Sequence, residues 1–282
     1  MAEPQGMRRS DWLWLGALAV AFTPALAALA RVWLAHDYYS HGFLVPLVAF
    51  WMFQAERRSL PPAGSDRRGL VAIAAAGLVY AAGFLAGDAT LQGLALVGAV
   101  AGAVLRLYGP VGLRRVAFPV AFLLFMVPVP VSILNPLIVQ LQLLVSTLAV
   151  EILHVFGFSV LREGNVVLLP GDERLFVDEA CSGITSIVSL LPLGVVLAYF
   201  TERTALRRLA LVAAVIPFAM FGNLVRVLAT VVGADAFGVE RVTRGALHDS
   251  AGLLTFVFSC LLLIGFGALM RLLPDRKARL RA

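Results

Sequence analysis

Three residues in the C-terminal half of a largely apolar chain are of types that could carry out chemistry together: Cys181, Arg226 and His248. Cys181 lies in Asp178-Glu179-Ala180-Cys181-Ser182-Gly183, where an extended segment meets an apolar run. It is expected at or just before a helix N-terminus, where free amides and the helix dipole favour thiolate over thiol. Arg226 follows Asn223 in Gly222-Asn223-Leu224-Val225-Arg226, inside another apolar run. An arginine at that depth is costly unless it is paired or faces water. His248, in Leu247-His248-Asp249-Ser250-Ala251-Gly252, opens the last apolar run. A thiol that attacks an amide needs an imidazole to take its proton and return one to the leaving amine. It also needs a cationic or hydrogen-bonding group for the oxyanion. Taken singly, each residue has an ordinary reading: a small residue at a tight turn, a snorkelling arginine, a solvated interfacial histidine. Cys260 reads as core filler, and two cysteines make no disulfide framework.

What must position these residues is a membrane bundle. The chain is 60% apolar and 14% charged, with a mean hydropathy of +0.90, whereas about a quarter of a soluble domain is charged. The net charge of +6 does not indicate nucleic-acid binding. Its arginines form short clusters between apolar runs, at Arg8-Arg9, Arg57-Arg58, Arg67-Arg68, Arg114-Arg115, Arg203 with Arg207-Arg208, and Arg276 to Arg281. That is the positive-inside pattern, with anionic lipid as the partner.

Threading the runs between clusters predicts an all-α integral membrane bundle of about eight spans with both termini cytoplasmic. The predicted spans are roughly Trp12 to Leu34, Gly42 to Gln54, Leu70 to Leu85, Leu91 to Val104, Val116 to Val127, Ile184 to Phe200, Leu209 to Val232 and Leu253 to Leu273. The turn Gly87-Asp88-Ala89-Thr90 joins the third and fourth. A signal-like start with Ala25-Leu26-Ala27 is outweighed by the continuation of its apolar run to Leu34. The whole chain, 1–282, reads as a single polytopic domain with an outer-face insert at about 135–178.

Within that insert, Asn135 to Phe156 reads as a helix carrying Gln140, Gln142, Ser146, Thr147, Glu151 and His154. A full crossing there would expose costly polar groups to lipid and put Cys181 on the opposite face from Arg226 and His248. The segment is therefore expected to be interfacial or re-entrant with its polar face towards a cavity, an ordinary span packed inside the bundle being the alternative. The only strand-like stretch follows: Phe158 to Leu161 and Asn165 to Leu169 around the turn Arg162-Glu163-Gly164, then Leu175 to Val177. A small extracytoplasmic β-hairpin is expected, roofing the site together with the polar helix.

At these residues the chain resembles the exosortase/archaeosortase family of integral membrane cysteine transpeptidases. The resemblance rests on Glu179-Ala180-Cys181-Ser182-Gly183, Asn223-x-x-Arg226 and His248-x-x-x-Gly252. It extends to Tyr39-Ser40-His41-Gly42-Phe43-Leu44-Val45-Pro46, Pro128-Val129-Pro130 and Gly164-Asn165, all in order. It implies that Cys181 is the nucleophile, His248 the general acid/base and Arg226 the stabiliser of substrate or oxyanion. His41, Glu179, Ser182, Asn223 and Asn165 are implied as supporting or substrate-binding positions. His41 is equally readable as an interface anchor, and Asp178, Glu179 and Asp249 as solvated carboxylates. The implied substrates are membrane-anchored proteins with a C-terminal motif, a transmembrane helix and a basic cluster. They would be cut through a thioacyl-enzyme on the periplasmic side of a bacterial inner membrane, with no metal or cofactor. A transporter with Arg226 and His248 along a polar pathway would need polar residues in both halves of the bilayer. A membrane acyltransferase using Cys181 or His248 on lipid is the other alternative.

Overall fold

The computed structural model describes residues 8–170, 173–177, 181–243 and 246–272, with backbone alone for residues 243 and 246–249. Two compact units divide the chain, Met1–Pro130 and Val131–Ala282. The first holds six helices: α1 (Arg9–Ala21), α2 (Thr23–Ala35), α3 (Leu44–Glu56), α4 (Arg67–Ala86), α5 (Ala89–Arg115) and α6 (Ala117–Phe122). Tight 3₁₀ turns at Asp37–Phe43 and Leu123–Met126 join α2 to α3 and extend α6. The turn between α4 and α5 forms where small polar residues were expected. Gly87 closes α4 in the left-handed region (φ 67°), and the Asp88 carboxylate accepts the Leu91 amide at 2.9 Å as the N-cap of α5. The pair then packs closely: a Cβ on Gly102 would lie 2.8 Å from Ile73 Cγ1. Without a hydrophobic drive between helices in lipid, such small-residue contacts supply the packing.

The second unit carries α7 (Val131–Val155) and a three-stranded antiparallel sheet of β1 (Leu161–Glu163), β2 (Val166–Leu168) and β3 (Arg174–Phe176), in that order. Helices α8 (Ile184–Thr201), α9 (Ala205–Phe237), α10 (Val239–Thr243) and α11 (Ala246–Leu272) follow. The paired register Glu163↔Val166 makes the β1–β2 turn a two-residue one, Gly164-Asn165, with Gly164 at φ 63°. The expected turn at Arg162-Glu163-Gly164 is thus displaced, because only Gly164 tolerates the left-handed backbone and Arg162 and Glu163 stay in the strand. The inner face of the sheet places Val167, Leu175 and Val177 in one core with Val145, Ala149 and Leu153 of α7 and Val227 and Val231 of α9.

Helices α8, α9 and α11 form an antiparallel set held by small residues. A Cβ on Gly194 would lie 2.4 Å from Val215 Cγ2, and one on Gly222 would lie 2.3 Å from Ser259 Oγ. Ser259 Oγ donates to the Phe218 and Thr255 carbonyls at 3.3 and 3.0 Å, and Cys260 packs against the same apolar cluster. At the far end the buried Glu202 lies 3.9 Å from Arg271 Nε, and Arg208 Nε donates to the Glu202 carbonyl at 2.9 Å. Arg203, Arg207, Arg208 and Arg271 lie at that end.

Among the described residues six helices are long and apolar enough to cross a membrane, and seven spans result if α1 and α2, bent by 46°, count as one. The expected bundle class is present, but the count of about eight is not matched. The expected second span is the 13-residue α3, and the fifth shrinks to Ala117–Met126. The polar segment at Asn135 to Phe156, expected to lie at the interface, belongs as far as Val155 to the continuous 25-residue α7, which is long and apolar enough to cross a membrane. Its polarity is partly internal: Gln142 and Ser146 are buried, and His154 Nε2 lies 2.6 Å from the Val160 carbonyl.

Because the α9–α11 contact turns on one missing methyl, Gly222→Ala should lower thermal stability in detergent by about 1–3 kcal/mol. Adding Ser259→Ala, which removes the clashing oxygen, should restore most of that loss. Equal melting of the single and double variants would refute the contact.

Candidate active site

Cys181 is buried, 7% exposed, two residues before the N-cap of α8. Its carbonyl accepts a 2.7 Å hydrogen bond from Asn223 Nδ2 on α9. Helices α8 and α9 are antiparallel neighbours, so the start of one lies level with the middle of the other. Between them Gly183 takes the left-handed conformation, φ 87°, and a Cβ there would meet Asn223 Nδ2 and Met220 Sδ at 3.3 Å. Both the dihedral and the space require glycine. Ser182, fully buried, accepts the Ile184 amide through Oγ at 3.2 Å. The Cys-Ser-Gly run is thus a turn locked on one side by its own helix and on the other by Asn223.

The approach to that turn is held as well. Asn165 brackets Val177: its carbonyl accepts the Val177 amide at 2.9 Å, and its Nδ2 donates to the Val177 carbonyl at 3.3 Å. The neighbouring Gly164 carbonyl accepts from Ser146 Oγ of α7 at 3.3 Å. A hairpin-turn residue therefore fixes the chain four positions before Cys181. Asp178 and Glu179, between the two anchors, lie outside the described residues.

Arg226 sits one helical turn beyond Asn223, so the two share a face of α9. Its guanidinium lies against α11 at Gly252, where a Cβ would be 3.5 Å from Cζ and both terminal nitrogens. A glycine lets the planar group lie flat on the neighbouring helix. His248 is one turn before Gly252, in the first turn of α11, and its side chain lies outside the described residues. A cleft of about 450 Å³ opens between α9 and α11, lined by Val225, Ala229, Thr230, Ala251, Leu254 and Phe258 among others. Arg226 is the one charged side chain among its described lining residues.

A family model for the transmembrane exosortase matches residues 33–265. The chain belongs to the transmembrane exosortase family. Comparison with curated proteins and with solved structures gave no match. Exosortases process sorting signals, and the family is in general one of membrane cysteine peptidases and transpeptidases. This exosortase is accordingly a multi-pass membrane protein.

Its Cys181, Asn223 and Arg226 are assembled within the second unit, on α9 and the turn preceding α8, whatever the number of spans before them. His41 belongs to the first unit, where its Nε2 lies 3.2 Å from the Phe125 carbonyl. Trp33 Nε1 donates to Met126 O at 2.9 Å, and the Val129 amide donates to Tyr39 Oη at 2.7 Å. Gly42 is tight against the Trp33 ring. The Tyr39-Ser40-His41-Gly42 and Pro128-Val129-Pro130 blocks are thus two sides of one seam. Burial holds the His41 imidazole below its usual pKa, against the opposing pull of the Phe125 and Tyr38 carbonyls. Sequence reading had not assigned roles to Gly183 and Gly252 or found the Asn165–Val177 bracket. The spacing of the Cys181-Ser182-Gly183 and His248-x-x-x-Gly252 blocks was the available signal for the glycines.

Replacing Asn223 by leucine removes a buried donor to Cys181 and should cost about 1–3 kcal/mol locally. Signal processing should fall at least about tenfold even where the variant remains folded by circular dichroism. The burial of neutral His41 makes a second expectation. Because the unfolded chain takes up that proton first as pH falls, the group's stability is intact above about pH 6.5 and is lost below it. Melting between pH 7 and 5 should therefore fall more steeply in the wild type than in His41→Gln; parallel curves would count against it.

Proposed function

We propose that this exosortase is a cysteine transpeptidase with Cys181 as nucleophile, His248 as general acid/base and Arg226 as stabiliser of the oxyanion or substrate. The observation that carries this reading is the 2.7 Å bond from Asn223 to the Cys181 carbonyl, which seats the thiol-bearing turn one helical turn from Arg226. Gly252 beside that guanidinium belongs to the same first turns of α11 as His248.

In this mechanism the Cys181 sulfur attacks the carbonyl of the scissile peptide bond, its proton passing to the His248 imidazole. Charge on the tetrahedral oxygen is met by the Arg226 cation in a site shielded by lipid and helices. The C–N bond then breaks, the leaving amine takes a proton from His248, and a thioester to Cys181 remains. A nucleophile on a surface acceptor, or water, attacks that thioester and regenerates the thiol. The substrates are membrane-anchored proteins bearing a C-terminal motif, a transmembrane helix and a basic cluster. Supporting roles fall to Asn223, Ser182 and Asn165, with Glu179 and His41 as further candidates.

Charge supports one side of the membrane for the site. Arg203, Arg207, Arg208 and Arg271 mark one end of α8, α9 and α11, and Cys181 the other. The positive-inside tendency assigns the arginine end to the cytoplasm. The site then faces the periplasm from a bacterial inner membrane, and the α9–α11 cleft is the lateral entrance for an anchored substrate.

Cys181→Ala should abolish processing of a tail-anchored reporter, and a thioester-trapping probe should label Cys181 in the wild type alone. Arg226→Lys, which keeps charge but loses the planar fork, should reduce kcat by about tenfold or more. Full processing by Cys181→Ala would refute the assignment.

A further inference from the structure

The sheet ahead of Cys181 ends in an open strand. Among the described residues β3 pairs with β2 alone. The Val177 amide donates to the Asn165 carbonyl and the Leu169 amide to the Glu173 carbonyl, both at 2.9 Å, so 165/177 and 169/173 are hydrogen-bonded pairs. In an antiparallel ladder these alternate, which makes 167/175 the pair between them. The main-chain groups of Leu175 and Val177 therefore face β2. Those of Arg174 and Phe176 face away from it, and among the described residues no hydrogen bond reaches them. The side chains agree with this register: Leu175 is buried, and Phe176 is 58% exposed.

The chain entering β3 is anchored where Glu173 Oε2 accepts the Val239 amide at 3.3 Å; the opposite edge, β1, has different surroundings. Its flanks are tied down on α7, through Ser146 Oγ to the Gly164 carbonyl and His154 Nε2 to the Val160 carbonyl. The free edge is thus the one whose chain runs directly into the Cys181 turn. It ends five residues before that cysteine and is followed at once by Val177, which Asn165 holds at both its amide and its carbonyl. An unpaired edge is ordinarily an aggregation liability, which proteins cover or blunt. Here two donors and two acceptors repeat about 6.8 Å apart along a line. An extended polypeptide has that repeat; lipid headgroups do not.

We propose that the open edge of β3 is a substrate-binding edge. The extended segment of the anchored substrate next to its scissile bond adds to it as a fourth strand, hydrogen-bonding to the main chain of Arg174 and Phe176. This rests on the transpeptidase reading and adds how the peptide is held. Affinity comes from the backbone, so the segment need only be extended and able to pair at alternate residues. The peptide is then aligned with the chain that leads to Cys181, in the manner that strand addition orients a ligand by register.

The test uses the full-length protein in nanodiscs with a synthetic membrane-anchored reporter. Each backbone amide near its scissile bond is replaced, one at a time, by an ester. Loss of a single net hydrogen bond corresponds to about a three- to tenfold change. Esters at every second position should therefore raise KM by about that factor, and those between them should not. Phe176→Pro, which removes an edge donor that β2 does not use, should raise KM similarly relative to Phe176→Ala. An ester scan without a two-residue period overturns the proposal, and it does not depend on any variant folding. So does edge-to-edge crosslinking of two copies through β3 that the reporter fails to compete. A parallel Cys181→Ala arm reports on the reaction itself: cleavage that persists there refutes the transpeptidase reading, while the ester period reports on the edge alone.

Discussion

A turn at the end of a membrane helix has no reason to hold its shape unless something outside the helix grips it. At the Cys181 turn one such grip is the Asn223 amide, whose Nδ2 donates to the Cys181 carbonyl at 2.7 Å. For that bond to form, α8 and α9 must be antiparallel and close, Gly183 must take a left-handed backbone with no side chain, and Ser182 must turn inward to the Ile184 amide. Close approach of α8 and α9 in turn needs Gly194 against Val215, and α11 is brought in by Gly222 against Ser259. A buried carbonyl left without this donor would cost about 1–3 kcal/mol. The geometry of the unit thus converges on one polar contact in an apolar setting, where such contacts are most costly to lose.

Much of this was legible in the sequence, and the reasons are specific. Arginine clusters and apolar runs indicated α4, α5, α8, α9 and α11, and the Gly87-Asp88 turn formed as its residue types demand. Cys181, Arg226 and His248 were expected together at one face; Asn223 of α9 bonds the Cys181 carbonyl, Arg226 lies one turn further along the same helix, and the His248 side chain lies outside the described residues. What failed was reasoning by run length. The polar residues of α7 were weighed as a cost against a full crossing, whereas Gln142 and Ser146 are buried within the unit and His154 reaches the Val160 carbonyl. The runs near residues 42–54 and 116–127 were treated as full spans although their helices are short, because apolarity without caps does not set a helix's length.

The Asn165 bracket on Val177 and the Asn223 bond to Cys181 join residues 12 and 42 positions apart. No periodicity encodes such contacts; both asparagines were visible only as members of an ordered set of motifs. Gly252 is similar. Its value lies in what another helix places against it, and a single chain read in order offers no sign of that neighbour.

The length of α8 has a consequence of its own. Its 18 residues span about 27 Å, close to the roughly 30 Å hydrocarbon thickness of a bilayer. On the proposed reading, the arginine end rests at one headgroup layer and the Cys181 turn reaches the other. The protein then acts as a depth gauge: an anchored substrate, held in the same bilayer by its own helix, presents to Cys181 whichever bond emerges at that height. Its cut is registered by bilayer thickness as much as by the letters of its sequence.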